Sequence, residues 1–155
     1  MEKFVSIIPA RGGSKGIPLK NLMSVGGQTL LARTLELALA LPHITAVCVS
    51  TDHDRIRDAA RGYDRVTVID RPKELSGDRV GDVPVLQNAL LEMESSSGSV
   101  FDAVVMLQVT SPLRTESDIR SCIELLFSRQ CDAVWTVSPT ELHYHPLKQL
   151  TVDDE

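Results

Sequence analysis

Three cations, Arg11, Lys15 and Lys20, fall within ten residues of one another and are interleaved with Gly12, Gly13, Ser14 and Gly16. Glycines let backbone N–H groups approach an anion, and several cations in one loop can share the charge of several phosphate oxygens. The stretch fits neither of the two common nucleotide loops. The Walker pattern needs Gly-Lys-Ser/Thr after four intervening residues, and Gly12 meets Ile17 at that place. The dinucleotide pattern Gly-x-Gly-x-x-Gly is broken by Gly12-Gly13-Ser14, and the excess of loop cations also counts against an NAD-type domain.

Further along, Asp52 in Ser50-Thr51-Asp52 suits a helix cap. Arg71-Pro72 sets one cation beside a turn, and Gln108 can present both an amide donor and an acceptor to a base or sugar. His143 and His145 have the alternate spacing of some metal pairs but lack a carboxylate or Cys partner in a metal-like pattern. Asp153 and Asp154 are adjacent, so in extended chain they point to opposite sides; neither pair is assigned to a metal. No Ser–His–Asp or Cys–His spacing supports covalent catalysis.

Elements that would position these residues alternate along the chain. Short apolar runs at residues 4–8, 45–49, 66–69, 103–107 and 133–137 predict five strands. A long loop to about Gly27 follows the first strand. Leu30, Leu31, Thr34, Leu35, Ala38 and Leu41 predict a helix ending at Pro42. Further helices are expected over 53–62, 83–93 and 115–127, the last opened by a Thr115/Asp118 capping box. Residues 95–99, rich in Ser and Gly, suggest a flexible surface connection, and Trp135 is expected in the core. Alternating strand and helix implies a doubly wound α/β fold with a mainly parallel sheet, in which ligands bind outside the carboxyl ends of the strands. The loops that follow strands are therefore the ones bearing the candidate residues.

The chain has 155 residues, the length of a single domain, with 43% hydrophobic and 24% charged residues, too apolar for disorder. Its net charge of −5 argues against a nucleic-acid binder that relies on a basic surface. Residues 1–33 nevertheless hold five Lys/Arg against one Glu, which marks a local anion site on an acidic protein. Cys48, Cys122 and Cys131 form no disulfide framework and are expected as buried thiols. No signal peptide opens the sequence and no apolar run reaches the ~20 residues of a membrane span, so a cytoplasmic location without membrane contact is expected.

One segment carries the most specific resemblance. Ile7-Ile8-Pro9-Ala10-Arg11-Gly12-Gly13-Ser14-Lys15-Gly16-Ile17-Pro18-Leu19-Lys20-Asn21 closely resembles the signature of acylneuraminate cytidylyltransferases, the CMP-sialic acid synthetases and their relatives. Val49-Ser50-Thr51-Asp52, Arg71-Pro72-Lys73-Glu74-Leu75, Leu107-Gln108-Val109-Thr110-Ser111-Pro112-Leu113-Arg114 and His145-Pro146-Leu147-Lys148 follow in the same order as in that family. The resemblance implies a Rossmann-like nucleotidyltransferase that joins CTP to a nine-carbon 2-keto acid sugar, giving CMP-sugar and pyrophosphate with Mg²⁺. It implies that Arg11, Lys15 and Lys20 act on the triphosphate, within a nucleotide-binding set of Arg11, Gly12, Gly13, Ser14, Lys15, Asn21, Arg71 and Gln108. Gln108 and Lys148 would face the acidic sugar.

Members of that family extend further, into a dimerisation arm, a sugar-specificity segment and a pair of metal-binding aspartates not found before Glu155. The chain is thus expected to be the N-terminal portion of a homodimeric enzyme, with its Mg²⁺ ligands beyond Glu155. It also departs from the family at Arg79 and Asp82, where small hydroxyl residues are usual. A non-catalytic nucleotide-binding remnant is the alternative. Taken alone, the chain is expected to release little pyrophosphate.

Overall fold

In the computed structural model, which describes residues 2–14 and 16–137, β1 (Phe4–Pro9) is the spine of a four-stranded parallel sheet. Its residues 4–8 are all buried, as a strand covered on both faces requires. It pairs with β4 (Ile44–Thr51) on one side and β6 (Ala103–Met106) on the other, while β5 (Val66–Asp70) lies outside β4. The strand order is β5-β4-β1-β6. The register sets Ile7 beside both Cys48 and Met106.

Between β1 and β4 the chain forms a hairpin and a helix. Strands β2 (Ser24–Val25) and β3 (Gln28–Thr29) pair across Gly26 and Gly27, whose φ values of 63° and 83° suit a two-residue turn with both central residues left-handed. The expected long loop to Gly27 therefore contains a hairpin. Helix α1 (Leu30–Ala40) is capped by Thr29, whose hydroxyl accepts the Ala32 N–H at 3.1 Å. It buries Leu30, Leu31, Thr34, Leu35 and Ala38, the face predicted by their spacing. Helix α2 (Asp54–Arg61) joins β4 to β5, and α3 (Asp82–Ser97) joins β5 to β6.

The right-handed rule for parallel crossovers puts α1 and α2, which touch each other, on one face of the sheet and α3 on the other. There Ala89 and Met93 pack on Val5, Ile7, Cys48 and Ile69. Each fully buried aliphatic side chain of this size contributes about 1.5–3 kcal/mol. The chain divides into two compact units, residues 1–116 and residues from 117 onward, and the sheet with α1–α3 belongs to the first. The second unit holds all of α4 (Glu116–Ser128) but its first residue, with Ile119 and Ile123 four residues apart as its buried stripe. Among the described residues no helix is long and apolar enough to cross a membrane.

Several expectations need correction. Residues 133–137 form no strand, and Trp135 is 84% exposed rather than core. A short apolar run becomes a strand only with a ladder partner, which periodicity does not reveal. Residues 95–97 continue α3, which stops at Gly98 with φ of 64°, so the Ser-rich stretch is helix where a connection was expected. Helix α2 is capped by His53, whose Nδ1 accepts the Arg55 N–H at 3.2 Å, because Asp52 turns its carboxylate elsewhere.

Of the cysteines, Cys48 is buried, Cys122 half-buried and Cys131 exposed, all as free thiols. Burial pushes the Cys48 thiol up to about 12, so almost no thiolate forms there at neutral pH. A disulfide reagent at pH 8 should label Cys131 within minutes and Cys48 only after unfolding. Rapid labelling of Cys48 in the folded chain, located by peptide mapping, would contradict this packing.

Candidate nucleotide-binding site

The strand order reverses at β1: the chain first moves through β4 to β5, then returns to β6 on β1's other side. Loops leaving the carboxyl ends of β1 and β6 must therefore diverge, and a crevice opens between them. A cavity of about 620 Å³ occupies that place, large enough for a nucleotide-sized ligand. Its walls come from the loop after β1 (Arg11, Ser14, Lys20, Asn21), from Arg71 after β5, from Asp78 and Asp82 before and at the start of α3, and from Gln108 after β6. A second hollow of about 360 Å³ lies at the opposite end of the sheet, lined by residues 44–47 and 64–67. It gathers no comparable set of cations.

The loop after β1 is tied down residue by residue. The Ala10 N–H donates to Ser50 O at 2.9 Å. Asn21 is buried, and its Nδ2 donates to Arg11 O at 3.0 Å, closing residues 11–21 into a ring. Gly12 donates its N–H to Asp52 Oδ1 at 2.8 Å, and the Ser14 N–H reaches Gly12 O at 2.9 Å. Leu19 takes a left-handed conformation with φ of 48°, at a cost of about 1–2 kcal/mol, as it leads into the short turn Lys20–Leu22. This strained entry fixes where Lys20 starts from.

Arg71 is 8% exposed and anchored at the end of β5. Its backbone N–H donates to Thr51 O at 2.9 Å; its Nε donates to Ser50 Oγ at 3.1 Å and one terminal nitrogen to Ser50 O at 2.7 Å. Burial pulls its guanidinium below its usual range; Asp52 opposes that shift, Arg11 adds to it and Asp82 opposes it. The two cations therefore face common space, a setting that an anion would relieve. Carboxylates fill part of that need. Arg11 pairs with Asp78 at 2.8 Å, and the Gln108 Nε2 donates to Asp82 Oδ2 at 3.2 Å.

A family model described as cytidylyltransferase matches residues 5–153. The chain belongs to the cytidylyltransferase family. The N-acylneuraminate cytidylyltransferase of Streptococcus agalactiae is 34% identical over 157 residues, covering 99% of this chain and 36% of the relative. The pseudaminic acid cytidylyltransferase of Campylobacter jejuni is 33% identical over 142 residues, covering 92% of this chain and 60% of the relative. Among solved structures, a CMP:2-keto-3-deoxy-manno-octonic acid synthetase complexed with CTP shares the fold, with a TM-score of 0.66 and 23% identity over 83% of this chain and 49% of that one. The chain thus spans about a third to three fifths of the length of these curated relatives.

In this cytidylyltransferase-family chain, six of the residues singled out by sequence, Arg11, Ser14, Lys20, Asn21, Arg71 and Gln108, line one cavity. Gly13 sits in open space, and Gly12 is turned against His53. Lys15, His143, His145, Lys148, Asp153 and Asp154 lie outside the described residues. Sequence reasoning missed Asp78, although its Gly77-Asp78-Arg79-Val80-Gly81 setting after a strand was a signal. Asp82 had been noted only as a departure. The magnesium ion that the resemblance implies does not fit here: Asp78 is tied to Arg11, Asp82 to Gln108, and no group of three His, Cys, Asp or Glu able to hold a metal stands among the described residues.

Gly12 offers a steric test of the loop. A Cβ there would stand 2.5 Å from the His53 ring and 2.7 Å from the His53 Cβ, so turning the ring would not clear it. Gly12→Ala should lower stability by about 1–3 kcal/mol. Gly13→Ala, with nothing within 4 Å, should change it by at most about 0.5 kcal/mol. Urea unfolding of the two variants checks this, and equal midpoints would refute the loop geometry.

Proposed function

We propose that this chain supplies the nucleotide-binding part of a cytoplasmic, homodimeric cytidylyltransferase that activates an acidic nine-carbon 2-keto sugar with CTP, giving CMP-sugar and pyrophosphate. One observation carries the reading: Arg11, Lys20 and Arg71 converge with Gln108 on a single cavity at the point where strand order reverses. The named relatives act on sialic and pseudaminic acids, which supports an acidic sugar as the second substrate.

In this reading Arg11, Lys15 and Lys20 hold the triphosphate, with Gly12, Gly13 and Ser14 shaping the loop, and Arg71 contacts the nucleotide. Gln108, and Lys148 from later in the chain, face the sugar acid. When the sugar's anomeric hydroxyl attacks the α-phosphorus, charge grows on the phosphate oxygens and on the departing pyrophosphate. Fixed cations stabilise that charge without a protein nucleophile. Mg²⁺ would add charge neutralisation when bound, held by residues beyond Glu155; no step assigned to the described residues runs through it.

Titration calorimetry of the purified chain should show CTP binding, with UTP and ATP weaker by about tenfold, the scale set by one or two base hydrogen bonds. Equal affinity for the three nucleotides, or no heat with CTP, would overturn the reading. Gln108→Ala should weaken binding of the sugar acid to the CTP complex while leaving thermal melting within a few degrees.

A further inference from the structure

We propose that Asp52 is a positioning residue for the nucleotide: its carboxylate fixes the backbone of Gly12 and thereby the direction in which the loop presents Arg11. Its effect on CTP rests on the proposed function, whereas its effect on the loop does not.

Three observations converge on it. The local use for an acid before a helix is already taken. His53 caps α2, and Thr51 Oγ1 accepts the His53 N–H at 3.2 Å, so the Asp52 carboxylate is released from the helix and reaches Gly12 N–H, forty positions away in the chain, at 2.8 Å. The same Gly12 rests against the His53 side chain so closely that a Cβ would not fit, so residues 52 and 53 hold it by an acceptor on one hand and a wall on the other. The flanking residues are tethered as well: Ala10 N–H to Ser50 O, Arg11 O to Asn21 Nδ2. Residues 10, 11 and 12 are thus each tied down, and Asp52 supplies the bond that holds the Gly12 N–H. The carboxylate also faces the buried Arg71 guanidinium and helps keep it charged.

The bond can be cut in two ways. Asp52→Ala removes the acceptor; Asp52→Asn keeps an oxygen that accepts and removes only the charge. In the 155-residue chain, hydrogen exchange at the Gly12 amide should quicken about tenfold or more in Asp52→Ala and CTP affinity should fall about tenfold, with melting within a few degrees of the parent. Asp52→Asn should stay within about threefold of the parent in both. A merely structural acid would move melting, not this pair of readouts. Unchanged Gly12 exchange in Asp52→Ala would overturn the inference. So would equal damage from both variants, since charge rather than the hydrogen bond would then be at work. If the parent chain binds no CTP, the proposed function fails, and Gly12 exchange alone still decides the positioning role.

Discussion

Arg71→Ala should weaken CTP binding about thirtyfold to a hundredfold, the largest single effect expected in this molecule. The guanidinium is nearly buried, and two of its nitrogens are spent on Ser50, so its remaining donors are aimed before any ligand arrives. Little ordering entropy is then lost on binding. The same geometry limits the cost to the fold. Ser50 O keeps the Ala10 N–H after the change, which leaves Ser50 Oγ as the one group on Ser50 that loses its partner, a cost of about 1–2 kcal/mol. Arg71→Lys should still lose about tenfold in CTP affinity, because a point-charge ammonium cannot bond Ser50 and face the cavity at once. Calorimetry beside urea unfolding separates the two effects. A stability loss with unchanged affinity would mean that Arg71 only braces β4 against β5.

Substitutions on the two sides of the Arg11–Asp78 pair should move affinity in opposite directions. Arg11→Ala removes a cation from the cavity wall and should weaken CTP about tenfold to thirtyfold. Asp78→Asn frees Arg11 from a carboxylate that stands where an anionic oxygen could, and should tighten CTP by about fivefold at low salt. The gain is small because the two side chains are 34% and 41% exposed, so solvent already screens them, and it should shrink further as salt is raised. Titrations at two ionic strengths read both signs. Weaker binding in Asp78→Asn would show that the acid organises the cavity instead of competing for it.

What could be read without coordinates was the part governed by local pattern. The apolar runs around Val5, Val47, Val68 and Val104 became β1, β4, β5 and β6, and the spacing from Leu30 to Ala38 became the buried face of α1. The rule that ligands sit beyond strand ends then led to Arg11, Lys20, Arg71 and Gln108. The misses depended on partners distant in sequence. Asp52 has the composition of a helix cap, and only the return of Gly12 beside it shows that it serves the loop. Trp135 sits in a run that matches a strand, yet residues 133–137 pair with no strand among the described residues. Asp78 and Asp82 carry charge opposite to that of an anion site, so composition hid them; their role follows from facing Arg11 and Gln108. The hairpin at Gly26-Gly27 is a further miss: it lies inside the stretch expected as a long loop, although its glycine pair suits such a turn.

The central claim is a place: CTP enters the crevice between the ends of β1 and β6. Backbone amide shifts followed during a CTP titration of the isotope-labelled chain test it most directly. The account predicts saturable changes concentrated in residues 10–21, at Arg71, in 78–82 and in 107–110, with residues 44–47 and 64–67 at the other end of the sheet unmoved. Changes centred on that opposite hollow, or spread evenly over the surface with no saturation, would contradict it.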